Sequence, residues 1–342
     1  MIQRRQLLQA GACTAVIGMP ALALAQTKYR AEYRLSLVVG AGTNWHFAAE
    51  RFANLVREKT QGRLNFKLYP GSSLVQGQQD RELTALRQGV IDILVGTTVN
   101  WSGTVKDFAL FNLPGLMPND RAVDAVLASD ALNKDFYEVI RRSGMEPLAS
   151  GEYGPIQLIN AKRRVAVPND IKGLKIRVVA TPMQQQIMSA MHANPTTMTF
   201  ADAQPALASG AIDGLTLTLE QFVAYKLSSL GQKHIAYWNQ SNELIHFLVA
   251  NPVWKTWSDQ DQKLVREAAQ EAGKELTRRV RETVATNEQM VAKQGVDIYK
   301  PTAQEQALWN GATREVYQRW KQQINAPLVS KFEQVVAQAM QS

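Results

Sequence analysis

Little in this chain can ligate a metal or form a disulfide. Its 342 residues include one cysteine, Cys13, and four histidines, His46, His192, His234 and His246. A lone thiol has no partner, and no two histidines stand at ligand spacing, so a disulfide scaffold and a zinc centre are both excluded. No Gly-x-Ser-x-Gly elbow and no phosphate loop occurs, which removes two common enzyme signatures. Gly40-Ala41-Gly42 follows an apolar run, but Trp45 stands where a dinucleotide loop needs its third glycine. Past residue 25 no stretch is long and apolar enough to span a bilayer. Blocks of one charge are missing too. The net charge of +8 is spread along the chain, which describes a solvated surface rather than a nucleic-acid footprint.

The N-terminus reads as an export signal. Arg4 and Arg5 precede an apolar run from Leu7 to Ala25, broken by Pro20 and closed by the small-x-small site Ala23-Leu24-Ala25. The arginine pair also resembles a twin-arginine signal. Cys13 lies inside the apolar run without the leucine a lipoprotein site needs. Cleavage near Ala25 removes that cysteine and both arginines, leaving 36 basic against 30 acidic residues, or +6. A cysteine-free mature chain suits an oxidising compartment.

One ten-residue pattern occurs twice. Ala85-Leu86-Arg87-Gln88-Gly89-Val90-Ile91-Asp92-Ile93-Leu94 returns 121 residues later as Ala206-Leu207-Ala208-Ser209-Gly210-Ala211-Ile212-Asp213-Gly214-Leu215. Each copy reads as a helix end, a glycine stop and an apolar strand. That separation fits two similar lobes rather than a solenoid. The first copy ends a run of strand 33–39, helix 45–59, strand 64–69, helix 79–88 and strand 90–95. The second ends strand 174–179, helix 182–191, strand 196–198, helix 201–209 and strand 212–217. Two such β-α-β-α-β units predict an α/β protein of two doubly wound lobes. Ligands in such folds sit beyond the carboxyl ends of the strands, so functional side chains are expected just after Val39, Val95, Val178 and Leu215.

The tail differs. Ser258 caps a run in which Leu264, Ala268, Ala272, Leu276, Val280 and Val284 recur every fourth residue until Gly295. A helix of that length spans on the order of 50 Å and would brace both lobes. A second helix is expected over 303–323, with its aromatic residues in the core.

Arg177 stands out chemically. It lies near the end of the apolar strand Leu174-Lys175-Ile176-Arg177-Val178-Val179, where a guanidinium is costly unless an anion meets it. That anion is either an acid of its own lobe or a ligand carboxylate, which the planar fork of arginine grips with two bonds.

The segment Asp170-Ile171-Lys172-Gly173-Leu174-Lys175-Ile176-Arg177 resembles a signature of the solute-binding subunits of TRAP transporters, the DctP family. So do Gly62 with Leu64 to Pro70, the Gly-x-Ile-Asp of both repeats, Phe111 to Pro114 and Met198-Thr199-Phe200. The resemblance implies a type II-like periplasmic binding protein fold: two α/β lobes around an interlobe cleft, with the long C-terminal helix spanning both. Lobe I would hold 30–154 plus 243–282, and lobe II 155–242 plus 283–340. Closure is expected to hinge near Gly151 to Asn160 and Glu243 to Val249. It further implies a periplasmic protein that is not an enzyme and needs no cofactor. Such a protein hands a small organic acid to integral-membrane TRAP permease subunits driven by a sodium gradient, and meets no nucleic acid.

For the site, the resemblance implies that Arg177 anchors the carboxylate and Phe200 forms a wall. Many relatives carry a second arginine where this chain has Gln157, and asparagine where it has Leu217. With Trp45 and Tyr153 these residues would form a more apolar pocket with one strong cation, suited to a carboxylate with a hydrophobic or aromatic body. Thr97 and Asn100, with Gln157, would supply hydrogen bonds. Two other readings stand beside this one: a receptor for an ATP-driven transporter or a sensor, and an exported enzyme on the same scaffold.

Overall fold

The computed structural model describes residues 29–341. The expected signal segment, with Cys13, lies outside them. Among the described residues no helix is long and apolar enough to cross a membrane.

The strands in chain order are β1 (Tyr33–Ser36), β2 (Phe66–Tyr69), β3 (Ile93–Gly96), β4 (Met145–Pro155), β5 (Gln157–Asn160), β6 (Lys175–Val178), β7 (Asn194–Thr197), β8 (Gly214–Leu217), β9 (His234–Ala236), β10 (Asn242–Ala250) and β11 (Asp297–Tyr299). They form two sheets, ordered β2-β1-β3-β10-β4 and β11-β9-β5-β8-β6-β7. Within each, the three strands of one repeat unit are parallel, and an antiparallel strand from the other half of the chain joins them: β10 beside β3, and β5 beside β8. The predicted α/β two-lobed architecture is thus present, one sheet to each lobe.

Both repeats build the same corner. The helices Glu82–Arg87 and Phe200–Ala208 end at Gly89 (φ 74°) and Gly210 (φ 71°), left-handed positions that favour glycine. Val90 N donates to Ala85 O at 2.8 Å, and Ala211 N to Ala206 O at 2.9 Å, so the chain leaves both helices by the same hydrogen-bonded turn. The following aspartate then fastens the first strand of its lobe. Arg34 N donates to Asp92 Oδ2 at 2.8 Å, and Lys175 N to Asp213 Oδ2 at 2.9 Å.

The strands are shorter than the apolar runs that signalled them. Leu37, Val38 and Val39 stay buried beyond β1, but the chain has left the ladder there to enter the space between the lobes. The expected helix 79–88 is a 3-10 turn, Gln79–Arg81, followed by the helix Glu82–Arg87. The break frees the Gln79 side chain, which bonds across the cleft.

Two strand passages join the lobes. β4 runs through Ile156 into β5, and the return runs from β9 to β10. They meet where Ile156 N donates to Ser241 O at 2.9 Å and Gln240 N to Ile156 O at 3.1 Å. The expected second hinge, Glu243 to Val249, lies instead inside β10, paired with β4 throughout and from His246 to Val249 with β3 as well. Its apolar run belongs to a central strand, and the crossing comes just before it.

The helix Asp259–Lys293 is the third tie. It packs on β4 and the helix Asn44–Lys59, then reaches the helix Leu219–Ala224 and β11 of the other lobe. A Cβ on Gly151 would lie 2.6 Å from Gly273 O, and one on Gly273 would lie 2.7 Å from Ser150 O. Two glycines therefore let the helix backbone touch the crossing strand. Ala303–Gln323 is helical as expected, with Trp309 and Trp320 in the core. The last helix, Ala326–Gln341, packs on the helices Asp120–Ala128 and Asp130–Arg142, and Phe332 meets Phe111 at 5.4 Å. It sits against first-lobe elements, whereas the sequence grouped 283–340 with lobe II. Amphipathic periodicity marks a buried face but does not say which lobe covers it.

Candidate functional site

A cavity of ≈ 50 Å³ lies between the lobes, at the carboxyl ends of the parallel strands. It is lined by Val38 and Val39 beyond β1, Thr97 and Asn100 beyond β3, Arg177 and Val179 at the end of β6, and Leu217 closing β8. Trp45 and Phe200 stand at the starts of flanking helices. Tyr153, Ile156 and Glu243 come from the crossing strands. Seven of the eight expected site residues therefore meet at one place.

Gln157 is the exception. It opens β5 one position after Ile156, and alternate strand residues face opposite ways, so Ile156 takes the cavity side. Gln157 is buried instead against Asn239, donating from Nε2 to Oδ1 at 2.7 Å and accepting from Asn239 N at 3.2 Å.

Arg177 is 2% exposed. Its Nε and Nη2 donate to Met198 O at 3.1 and 3.0 Å, and its guanidinium lies 5.8 Å from the centre of the Phe200 ring. Among the described residues Nη1 has no hydrogen-bond partner and no carboxylate is within ion-pair distance. Burial pulls its pKa down to about 10, which still leaves it cationic at neutral pH. One carbonyl holds the fork in place without neutralising it. Among the described residues no acid of its own lobe pairs with Arg177; Asp202 acts on it only from beyond ion-pair distance.

The aromatic walls have their polar atoms occupied. Trp45 Nε1 donates to Val95 O at 2.7 Å, and its ring meets Tyr153 edge-on at 5.6 Å. A Cβ on Gly96 would fall 2.9 Å from that indole, so the glycine makes room for it. Tyr153 donates its hydroxyl to Gln221 Oε1 at 2.5 Å. Both therefore offer ring surface to the cavity.

A polar chain crosses the opening. Phe200 N donates to Gln79 Oε1 at 2.9 Å, Gln79 Nε2 to Asn100 Oδ1 at 2.7 Å, and Asn100 Nδ2 to Thr97 Oγ1 at 3.3 Å. Thr97 also acts on the nearby Glu243 carboxyl, opposing the rise that burial causes in its pKa. Further bonds close the lobes together: Gly40 N to the Tyr225 hydroxyl at 2.9 Å, and Asn44 N to Glu220 Oε1 at 2.8 Å. The latter sets an acid of one lobe at the N-terminus of a first-lobe helix.

Glu243, Gln79, Gln184 and Gln221 line the cavity but were missed by the sequence reading. Glutamines give no patterned signal. Glu243 gave one, because it opens the apolar run Leu244 to Val249, and the reasoning that singled out Arg177 applies equally to a buried acid.

The sequence profile described as DctP, bacterial extracellular solute-binding protein, family 7, matches residues 35–323. The chain belongs to this family. A TRAP periplasmic solute-binding protein from Ralstonia eutropha H16, solved with (S)-2-acetolactate bound, superposes with a TM-score of 0.88 at 41% identity, covering 91% of this chain and 100% of that one. The C4-dicarboxylate-binding periplasmic protein DctP of Rhodobacter capsulatus is 25% identical over 95% of this chain and 98% of its own length. An uncharacterized Sinorhizobium fredii protein, y4mM, is 32% identical over 82% of this chain, which spans 50% of that longer relative. The family is one of substrate-binding receptors of transporters rather than enzymes.

Proposed function

We propose that this protein is exported to the periplasm, captures a short organic acid between its lobes and delivers it to the membrane permease of a TRAP transporter. One observation carries the reading: Arg177 is a buried, cavity-facing cation with no carboxylate of its own. In a closed cleft a charge-assisted bond to a ligand carboxylate is stronger than in water, which makes the ligand the natural counter-ion. Trp45, Phe200, Leu217, Val38 and Val99 would enclose its apolar body. A compact organic acid with an apolar body would suit a cavity walled in this way. The acid bound to the Ralstonia eutropha protein, a branched hydroxy-oxo acid, is of this class. Thr97 and Asn100 would support the site through the chain from Gln79 rather than by free polar groups.

The test is thermal unfolding of protein stripped by refolding, with branched hydroxy and oxo acids beside dicarboxylic, aromatic and sugar acids. A ligand at a hundred times its Kd adds about 2.7 kcal/mol of stability. The expected outcome is a raised midpoint with short branched acids, absent in Arg177→Ala, and unchanged ligand recovered afterwards. A folded Arg177→Ala that keeps its binding would overturn the anchor. Turnover of the ligand would point to the enzyme reading.

A further inference from the structure

Glu243 is the second buried ionisable side chain of the cavity that lacks a counter-ion. It is 4% exposed, forms no ion pair among the described residues, and its Oε2 has no hydrogen-bond partner. The ladder between β10 and β4 slips at Glu243 and Leu244, at the start of the central strand. The other titratable groups lining the cavity are Tyr153 on β4 and Arg177 on β6. The Tyr153 hydroxyl is spent on Gln221, and Arg177 is held by Met198. On β10 itself the nearest titratable group, His246, is bonded to Ser150 on β4. Among the described residues no cation pairs with Glu243.

Resting on the carboxylate-capture reading, we infer that Glu243 is a protonated carboxylic acid that donates a hydrogen bond from its free oxygen to a second, uncharged oxygen of the ligand. Arg177 thus reads the carboxylate, and Glu243 reads a hydroxyl or oxo oxygen on the body. Burial pushes the Glu243 carboxyl up to about 8, against a smaller opposing effect of the Thr97 hydroxyl, so it carries a proton at neutral pH. A neutral acid can donate where a carboxylate can only accept. An ionised Glu243 would repel an anionic ligand and could not donate to an oxo oxygen. The arrangement therefore selects acids bearing an oxygen substituent over all-carbon acids of equal size.

The test measures binding of freshly prepared (S)-2-acetolactate from pH 6 to 9.5 by wild type and Glu243→Gln. It adds 2,2-dimethylbutanoate and L-valine as probes. Glutamine keeps a donor at every pH. The wild type is expected to weaken about tenfold between pH 7 and pH 9, while Glu243→Gln stays flat. The all-carbon acid should bind the wild type at least about tenfold more weakly than acetolactate at pH 7, since the polar group is then left unpaired. A flat wild-type profile would overturn the proposal and leave the carboxylate reading intact. So would preferred binding of L-valine that tightens with pH, because an ionised Glu243 would then hold an ammonium. A wild type that binds no organic acid at any pH would sink the capture reading itself. A ligand-free measurement addresses the proton alone: the melting midpoint of Glu243→Gln should match wild type near pH 4 and rise above it by pH 8. The sign follows from a pKa raised on folding, which costs stability as pH climbs from the unfolded value towards 8. Equal midpoints across that window would overturn the proposal.

Discussion

The two repeats share a backbone device but not its surroundings. Asp92 and Asp213 each accept a hydrogen bond from the first strand of their lobe, within 0.1 Å of the same length. Around Asp92 the molecule is closed: the residue is 0% exposed and ion-paired to Arg30 at 2.7 Å and Arg34 at 3.0 Å. Asp213 is only half-buried, and its cation, Lys162, stands 3.4 Å away with its side chain 57% exposed. The next residues differ as well. Ile93 follows Asp92 inside a packed sheet, while Gly214 follows Asp213 where a Cβ would meet Ile159 O at 2.0 Å. One sequence pattern thus encodes a corner, and its energetic weight depends on what the rest of the chain folds around it.

The harshest way to break the comparison is to transplant one copy into the other. Gly214→Ile places the side chain of the first repeat where β5 passes too closely for even a methyl group. Overpacking against backbone cannot relax by rotamer change, so a cost above about 3 kcal/mol is expected. Chemical denaturation would record it, and a midpoint within error of wild type would show that β5 can shift. Asp92→Asn comes next. It keeps an acceptor for Arg34 N but strands two arginines. Because both are partly exposed, the cost should fall below that of a fully buried pair, at about 2–3 kcal/mol.

Much of this was legible because it is periodic. The Gly-x-Ile-Asp pattern located both corners, strand alternation and helix spacing located the units, and a lone arginine in an apolar strand located the centre of the cavity. Gln157 was misplaced because spacing to Arg177 carries no information about which side of β5 a residue faces. The polar chain through Gln79 stayed invisible for a different reason. It joins residues from both lobes, and nothing local distinguishes a glutamine that bridges a cleft from one that faces water. Glu243 was readable by the rule applied to Arg177, but its neighbours advertised a strand rather than a site.

The glycine stops give a smaller, symmetric test. Gly89 and Gly210 hold φ values within 3° of each other, and a Cβ added at either would meet no atom within 4 Å. With no steric clash to separate them, Gly89→Ala and Gly210→Ala should each cost about 1–2 kcal/mol, the penalty for a side chain in the left-handed region. Thermal melts of the pair would check this. A large inequality would mean that one corner relaxes to another turn, and the shared device would no longer be shared.

Asp213→Asn is the mildest change and the one that isolates the device. The asparagine carbonyl can still accept from Lys175 N, so the backbone anchor survives. What is lost is an ion pair whose lysine is largely in water, and exposed pairs contribute little, about 0–1 kcal/mol. The expected shift is therefore at most a degree or two in Tm for a chain of this size, and it should vanish in high salt as screening removes the remaining attraction. If Asp213→Asn instead costs as much as Asp92→Asn, the charge rather than the acceptor would be the common element of the two repeats. The half-buried copy would then be as tightly bound into its lobe as the closed one.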